Sequence, residues 1–158
     1  MSGIIGGAGS KSGVIGTTEL DYEEGFYTYA LPFTSSGSVT PRAGYTLLKY
    51  IKIGRVCHVF GKIEVSGESS PSGQMKLTLP FTAGANDNTA GDHCASGMTA
   101  HFRSHGATFE DAFMDIISGG AAGVFYRMDH DGTRNSITDG NVDSSFELYL
   151  NISYHTAT

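Results

Sequence analysis

The longest alternation in the chain lies near its end, in SFELYLNISYH. Phe146, Leu148, Leu150, Ile152 and Tyr154 fall on one side; Glu147, Tyr149, Asn151, Ser153 and His155 fall on the other. A period of two sustained over this length predicts a strand with one buried face. RVCHVFGKIEV at 55–65 behaves similarly, with Cys57, Val59, Ile63 and Val65 directed inward around Gly61. A glycine inside a strand often marks a bulge or a close packing neighbour. In QMKLTL at 74–79, Met75, Leu77 and Leu79 share a face before Pro80 ends the run. Further strands are predicted at 26–32, 45–53, 94–103, 112–117 and 122–128, with 112–117 also readable as a helical turn.

The punctuation agrees with this pattern. Gly54-Arg55 reads as a tight hairpin turn, and 66–73, 82–92 and 129–143 read as long polar loops. Short alternating runs separated by turn residues are the signature of a sandwich or barrel. About eight antiparallel strands with long end loops predict an all-β, jelly-roll-like β-sandwich over 26–158. An extended glycine-rich N-terminal arm at 1–17 and an acidic connector at 18–25 (TELDYEEG) precede it.

The arm is unusual in its apolar content. Ser2-Gly3-Ile4-Ile5-Gly6 returns ten residues later as Ser12-Gly13-Val14-Ile15-Gly16. Each of these side chains contributes about 1.5–3 kcal/mol if fully buried, which offsets much of the entropy of ordering the arm. Ile4, Ile5, Val14 and Ile15 are therefore expected to form a docking peptide for a partner or an intertwined oligomer; a merely flexible leader is the competing expectation.

Composition narrows the function classes. The 158 residues suit one domain with a core of its own. A net charge of −6 and a pI near 5.4 argue against a phosphate-backbone binder, so no nucleic-acid partner is expected. No run of about 18 apolar residues occurs, which predicts no membrane insertion. The N-terminus lacks the basic and apolar regions of a signal peptide. Cys57 and Cys94 are too few for a disulfide framework and are read as buried thiols, with a single bridge as the other possibility.

Three stretches, taken in order, carry a resemblance. LDYEEGFYTYAL at 20–31 is an acidic connector and glycine before an aromatic-rich strand. YIKIGRVCHVFGKIEV at 50–65 resembles a Y-x-K-I-G-R-x-V-x-V-x-G hairpin, and Leu79-Pro80-Phe81-Thr82 resembles the LPFT that closes a following strand. Together they resemble the C-terminal β-modules of tailed-bacteriophage tail fibres and related virion structural proteins. The SGIIGGAGSKSGVIG opening resembles segments that precede such modules. Those modules often carry tryptophan in the first strand, where this chain has Phe26 or Tyr27 and no Trp anywhere. The resemblance covers most of residues 2–82, while 83–158 rests on β-patterning alone.

It implies a homotrimeric virion component without catalytic activity, assembled in the host cytoplasm and contacting other virion proteins of tail or capsid. A short tail-fibre or receptor-binding knob is favoured by the hairpin and the polar loops. Small size and the lack of a shaft instead suit a capsid decoration (cement) protein, and the two differ in copy number per particle.

No catalytic motif, metal-ligand spacing or cofactor fingerprint is present, so neither metal nor cofactor is expected. His101 and His105 stand four apart in strand-like surroundings. DHDG at 129–132 resembles the start of a calcium loop, but its twelfth position is Gly140, so an Asx-type turn is the expectation, with a cation on Asp129, Asp131, Asp139 or Asp143 as the alternative. The same loop collects Tyr126, Arg127, Asp129, His130, Asp131, Arg134 and Asn135. Planar and hydrogen-bonding side chains of this kind suit a host cell-surface glycan, and these seven form the candidate ligand or receptor loop. An ordinary polar turn between the last strands is the competing expectation.

Overall fold

The computed structural model describes residues 21–85 and 111–157 in full, and the backbone of 93–96 and 99–103. The arm with Ile4, Ile5, Val14 and Ile15, the first part of the connector, and the side chains of Cys94, His101 and His105 lie outside the described residues.

The described chain is all-β. In order, the strands are β1 (Tyr22–Thr28), β2 (Leu31–Pro32), β3 (Ser36–Pro41), β4 (Leu47–Ile53), β5 (Val56–Ser72), β6 (Lys76–Thr78), β7 (His93–Ser96), β8 (Thr99–Arg103), β9 (Asp111–Ile117), β10 (Ala122–Met128), β11 (Arg134–Ser136) and β12 (Glu147–His155). One turn of 3-10 helix, Asp139–Asn141, interrupts the last connection. All pairings are antiparallel. The larger sheet runs β1-β4-β5-β12-β8, with β3 on the far end of β5 and β2 beside β3. The smaller runs β11-β10-β9-β7, with β6 sharing the β11 side of β10.

The two inward faces make the core. Cys57, Val59, Ile63 and Val65 from β5 meet Leu148, Leu150, Ile152 and Tyr154 from β12, all buried. Met75, Leu77, Met114, Ile116, Phe125 and Ile137 close on them from the smaller sheet. Phe146, just before β12, is also buried. The alternations read from the sequence at 55–65, 74–77 and 146–154 thus face the core as expected. Gly54 has φ +56 and occupies the first central position of the β4–β5 turn, where a two-residue II′ hairpin takes glycine.

Several elements differ from the expected ones. The predicted strand 26–32 is two, β1 and β2, and β1 begins in the acidic connector at Tyr22. The predicted strand 94–103 divides between the sheets as β7 and β8. Segment 112–117 is strand β9, not a helical turn. The polar run 66–73 is no loop: β5 continues to Ser72, paired with β3. Its lost alternation has a cause, because the β3–β5 ladder shifts register twice and Pro71 sits beside one shift, where a missing N–H is tolerated. Gly37, at φ +71, faces this irregularity, and a Cβ there would stand 2.2 Å from the Ser69 carbonyl oxygen. Within 129–143, three residues form β11.

Candidate functional site

The β10–β11 hairpin places the residues of the polar loop. Its register sets Tyr126 opposite Ser136, Arg127 opposite Asn135 and Met128 opposite Arg134. The turn is closed from within: the Asp129 N–H donates to Thr133 O (3.0 Å) and the Gly132 N–H to Asp129 O (2.9 Å). Asp131 Oδ1 accepts the Thr133 N–H at 2.9 Å, an Asx turn, and the Thr133 hydrogen bonds hold its carboxyl below the usual aspartate value. His130 is exposed at the tip.

Alternation then sorts the rest onto two sides. Arg127, Asp129 and Asn135 gather together, with Arg127 Nη1 3.2 Å from Asp129 Oδ1 and Asn135 Nδ2 donating to Asp129 Oδ2 at 2.8 Å. Arg127 Nε is buried and makes no hydrogen bond. Tyr126 and Arg134 instead face outward on the smaller sheet. There Tyr126 stacks on Phe113 of β9, centroids 5.7 Å apart and planes 20° apart. The Arg134 guanidinium carbon lies 3.7 Å from the Tyr126 ring centroid and 5.4 Å from that of Phe113. Its Nη2 donates to Asp115 Oδ2. Asp115 is 2% exposed although it points to the outer face, because the guanidinium and its neighbours cover it.

A compact platform results: the Tyr126 ring lies against both Phe113 and the Arg134 guanidinium, which donates to a carboxylate, and the Arg134 side chain is 44% exposed. Rings of this kind cover apolar ligand faces, and the guanidinium edge donates hydrogen bonds to hydroxyls or carboxylates. Sequence reading found Tyr126 and Arg134 and missed Phe113 and Asp115. The signal was available in Ser118-Gly119-Gly120-Ala121: folding 112–128 about that turn pairs Phe113 with Tyr126 and Asp115 with Val124, as the β9–β10 register does.

A second polar constellation sits on the outer face of the larger sheet. Glu64 is 8% exposed. It accepts from Arg42 Nη1 and, at 2.9 Å, from Lys62 Nζ, which also lies 3.3 Å from Glu147 Oε1. The Lys62 and Arg42 hydrogen bonds hold the Glu64 carboxyl below its ordinary value. The Lys62 ammonium lies 4.7 Å from the centre of the Tyr45 ring. Cys57 is a free, buried thiol, pushed up to about 11 by burial. Among the described residues, no three His, Cys, Asp or Glu side chains converge as a metal-ligand set, and no helix is long and apolar enough to cross a membrane.

No protein-family profile matches the sequence, and no curated protein matches it. Among solved structures, the fold is similar to that of the Dettilon tailspike protein (gp208), with a TM-score of 0.65 and 16% sequence identity. The match covers 85% of this chain and 24% of the tailspike chain, so the protein spans about a quarter of that neighbour's length. The chain shares the all-β fold of one segment of a tailspike.

Proposed function

We propose that this protein is a bacteriophage virion structural protein: a short tail-fibre or receptor-binding knob, homotrimeric, attached to the particle through its N-terminal arm. It binds rather than catalyses. The observation that carries the reading is the fold shared with a tailspike segment over 85% of the chain. The hairpin at 50–65 supports it independently, since that stretch forms the β4–β5 pair at the centre of the larger sheet.

In this reading the platform of Phe113, Tyr126, Arg134 and Asp115 meets a host cell-surface glycan. Such a ligand offers apolar ring faces for the aromatics and hydroxyls for the guanidinium edge. Ile4, Ile5, Val14 and Ile15 hold the knob to other virion proteins.

The test is made on particles. Residues 2–17 are deleted, and incorporation is followed by electron microscopy and gel, with copy number measured in the wild type. A few to a few dozen copies at the tail, lost on deletion while the truncated chain stays folded, is the expected result. Hundreds of copies on the shell would make it a capsid decoration protein instead, and unchanged incorporation would remove the arm's docking role.

A further inference from the structure

Among the described residues, seven large apolar side chains are well exposed, and six belong to one surface: the outward face of the larger sheet. The registers bring them into rows across β1, β4 and β5. Tyr22 pairs with Ile53, which pairs with Val56; Phe26 pairs with Lys49, which pairs with Phe60. Phe26 is the most exposed of them, at 68%. Leu47 and Tyr149 extend the surface toward the Lys62 cluster.

Two features identify what covers this face. The first is its size. Four strands at about 4.8 Å spacing and seven residues at about 3.3 Å rise give a flat footprint of roughly 450 Å². Side-chain relief brings this close to the roughly 600–800 Å² per partner that specific interfaces bury. A monomer's largest apolar patch, at about 300–600 Å², is commonly functional.

The second feature is charge. The chain carries −6 overall, so copies of it repel one another through most surfaces. On this face the acids are balanced. Glu24 accepts from Tyr22 Oη at 2.8 Å and shares the surface with Lys49, whose ammonium lies 5.9 Å from the centre of the Phe60 ring. Glu64 and Glu147 are offset by Arg42 and Lys62. A face that sets exposed apolar rows among polar side chains such as His58, Asn151 and Ser153, with its acids and bases balanced, suits another copy of the same acidic chain, since interfaces combine an apolar centre with a polar rim.

We infer that copies of this chain associate through the outward face of the larger sheet, around Phe26, Ile53 and Val56. The inference rests on the homo-oligomer of the proposed function and names its contact surface.

Light scattering on the purified full chain tests it, comparing the wild type with Phe26→Glu/Val56→Glu. Both positions are solvent-facing, and circular dichroism reports whether the variant folds. The expected result is a wild-type mass at a multiple of 16.7 kDa and a folded variant at the single-chain mass. A folded variant that stays oligomeric overturns the inference and leaves the oligomer itself standing. A wild type that is monomeric at tens of micromolar overturns both, without bearing on incorporation into particles.

If the double variant does not fold, Val56→Cys decides. A bismaleimide should link chains of this variant within the oligomer, at a yield well above that of wild type, and an oligomer without such links overturns the assignment. A Val56→Cys thiol that is shielded until residues 2–17 are removed would place the N-terminal arm on this face and overturn it as well.

Discussion

Gly61 shows how closely the core constrains a single position. It lies mid-strand in β5 at φ +148, and a Cβ built there would stand 2.8 Å from Leu48 Cδ2, a side chain only 1% exposed. The neighbour is locked in the core, so the clash is not relieved by rotation into solvent. Gly61→Ala is expected to cost about 1–3 kcal/mol in urea denaturation, the usual cost of overpacking. No loss of stability would mean that Leu48 repacks freely. Cys57 makes a complementary case. With its thiol pushed up to about 11, on the order of 0.1% is thiolate at pH 8. In a Cys94→Ser background, an aromatic disulfide reagent should therefore react with the native protein more than 100-fold slower than with the unfolded chain.

At the scale of elements, the Arg134–Asp115 ion pair ties β11 to β9. Arg134 stacks on Tyr126 and donates to the nearly buried Asp115. Arg134→Ala should cost about 1.5–3 kcal/mol, the usual worth of a hydrogen bond to a charged group, with the domain still folded. Arg134→Lys should recover only part of this, since an ammonium does not reproduce the planar stack. The Glu64 cluster predicts a pH dependence. Its carboxyl titrates below the ordinary glutamate value when folded. The stability it contributes is therefore present above about pH 4.5 and is lost as pH falls through the depressed value. Melting temperatures of wild type and Glu64→Gln should differ at pH 6, and the difference should shrink as pH falls through the depressed value; a constant difference would show that the pairing is not electrostatic.

The elements also show where sequence reading works and where it stops. β5 up to Val65 and β12 were legible because one side of each strand is core and the other solvent, which imposes the period of two. β3 and the end of β5 pair largely through Ser, Thr, Gly and Pro, and Val39 is the single buried side chain of β3, so no alternation marks them. β11 is a three-residue strand inside a polar loop. The platform was half legible for a related reason: Tyr126 and Arg134 lie close in sequence, while Phe113 and Asp115 arrive only through the strand pairing. Asp115 is the sharper omission, since an aspartate in a strand reads as solvated until the guanidinium that covers it is located.

For the whole molecule, the two sheets turn different outer faces to the surroundings. The smaller presents the Tyr126–Arg134 platform; the larger presents the apolar face around Phe26 and Val56. If the first binds receptor and the second joins copies, substitutions should separate. Tyr126→Ala/Arg134→Ala should lower adsorption of particles to host cells while the purified protein keeps its oligomeric mass. Phe26→Glu/Val56→Glu leaves each platform intact but unlinks the copies, so it lowers adsorption through lost multivalency, which is commonly worth about 10²–10⁴ in apparent affinity. Glycan-array binding of the purified proteins distinguishes the two losses. The platform variant should fail at any ligand density, because the contact itself is gone. The face variant should approach wild-type binding as the density falls toward one ligand per knob, because single-site affinity is unchanged. A platform variant that binds and adsorbs like wild type would remove the receptor role from this sheet and leave Arg134–Asp115 as a structural pair.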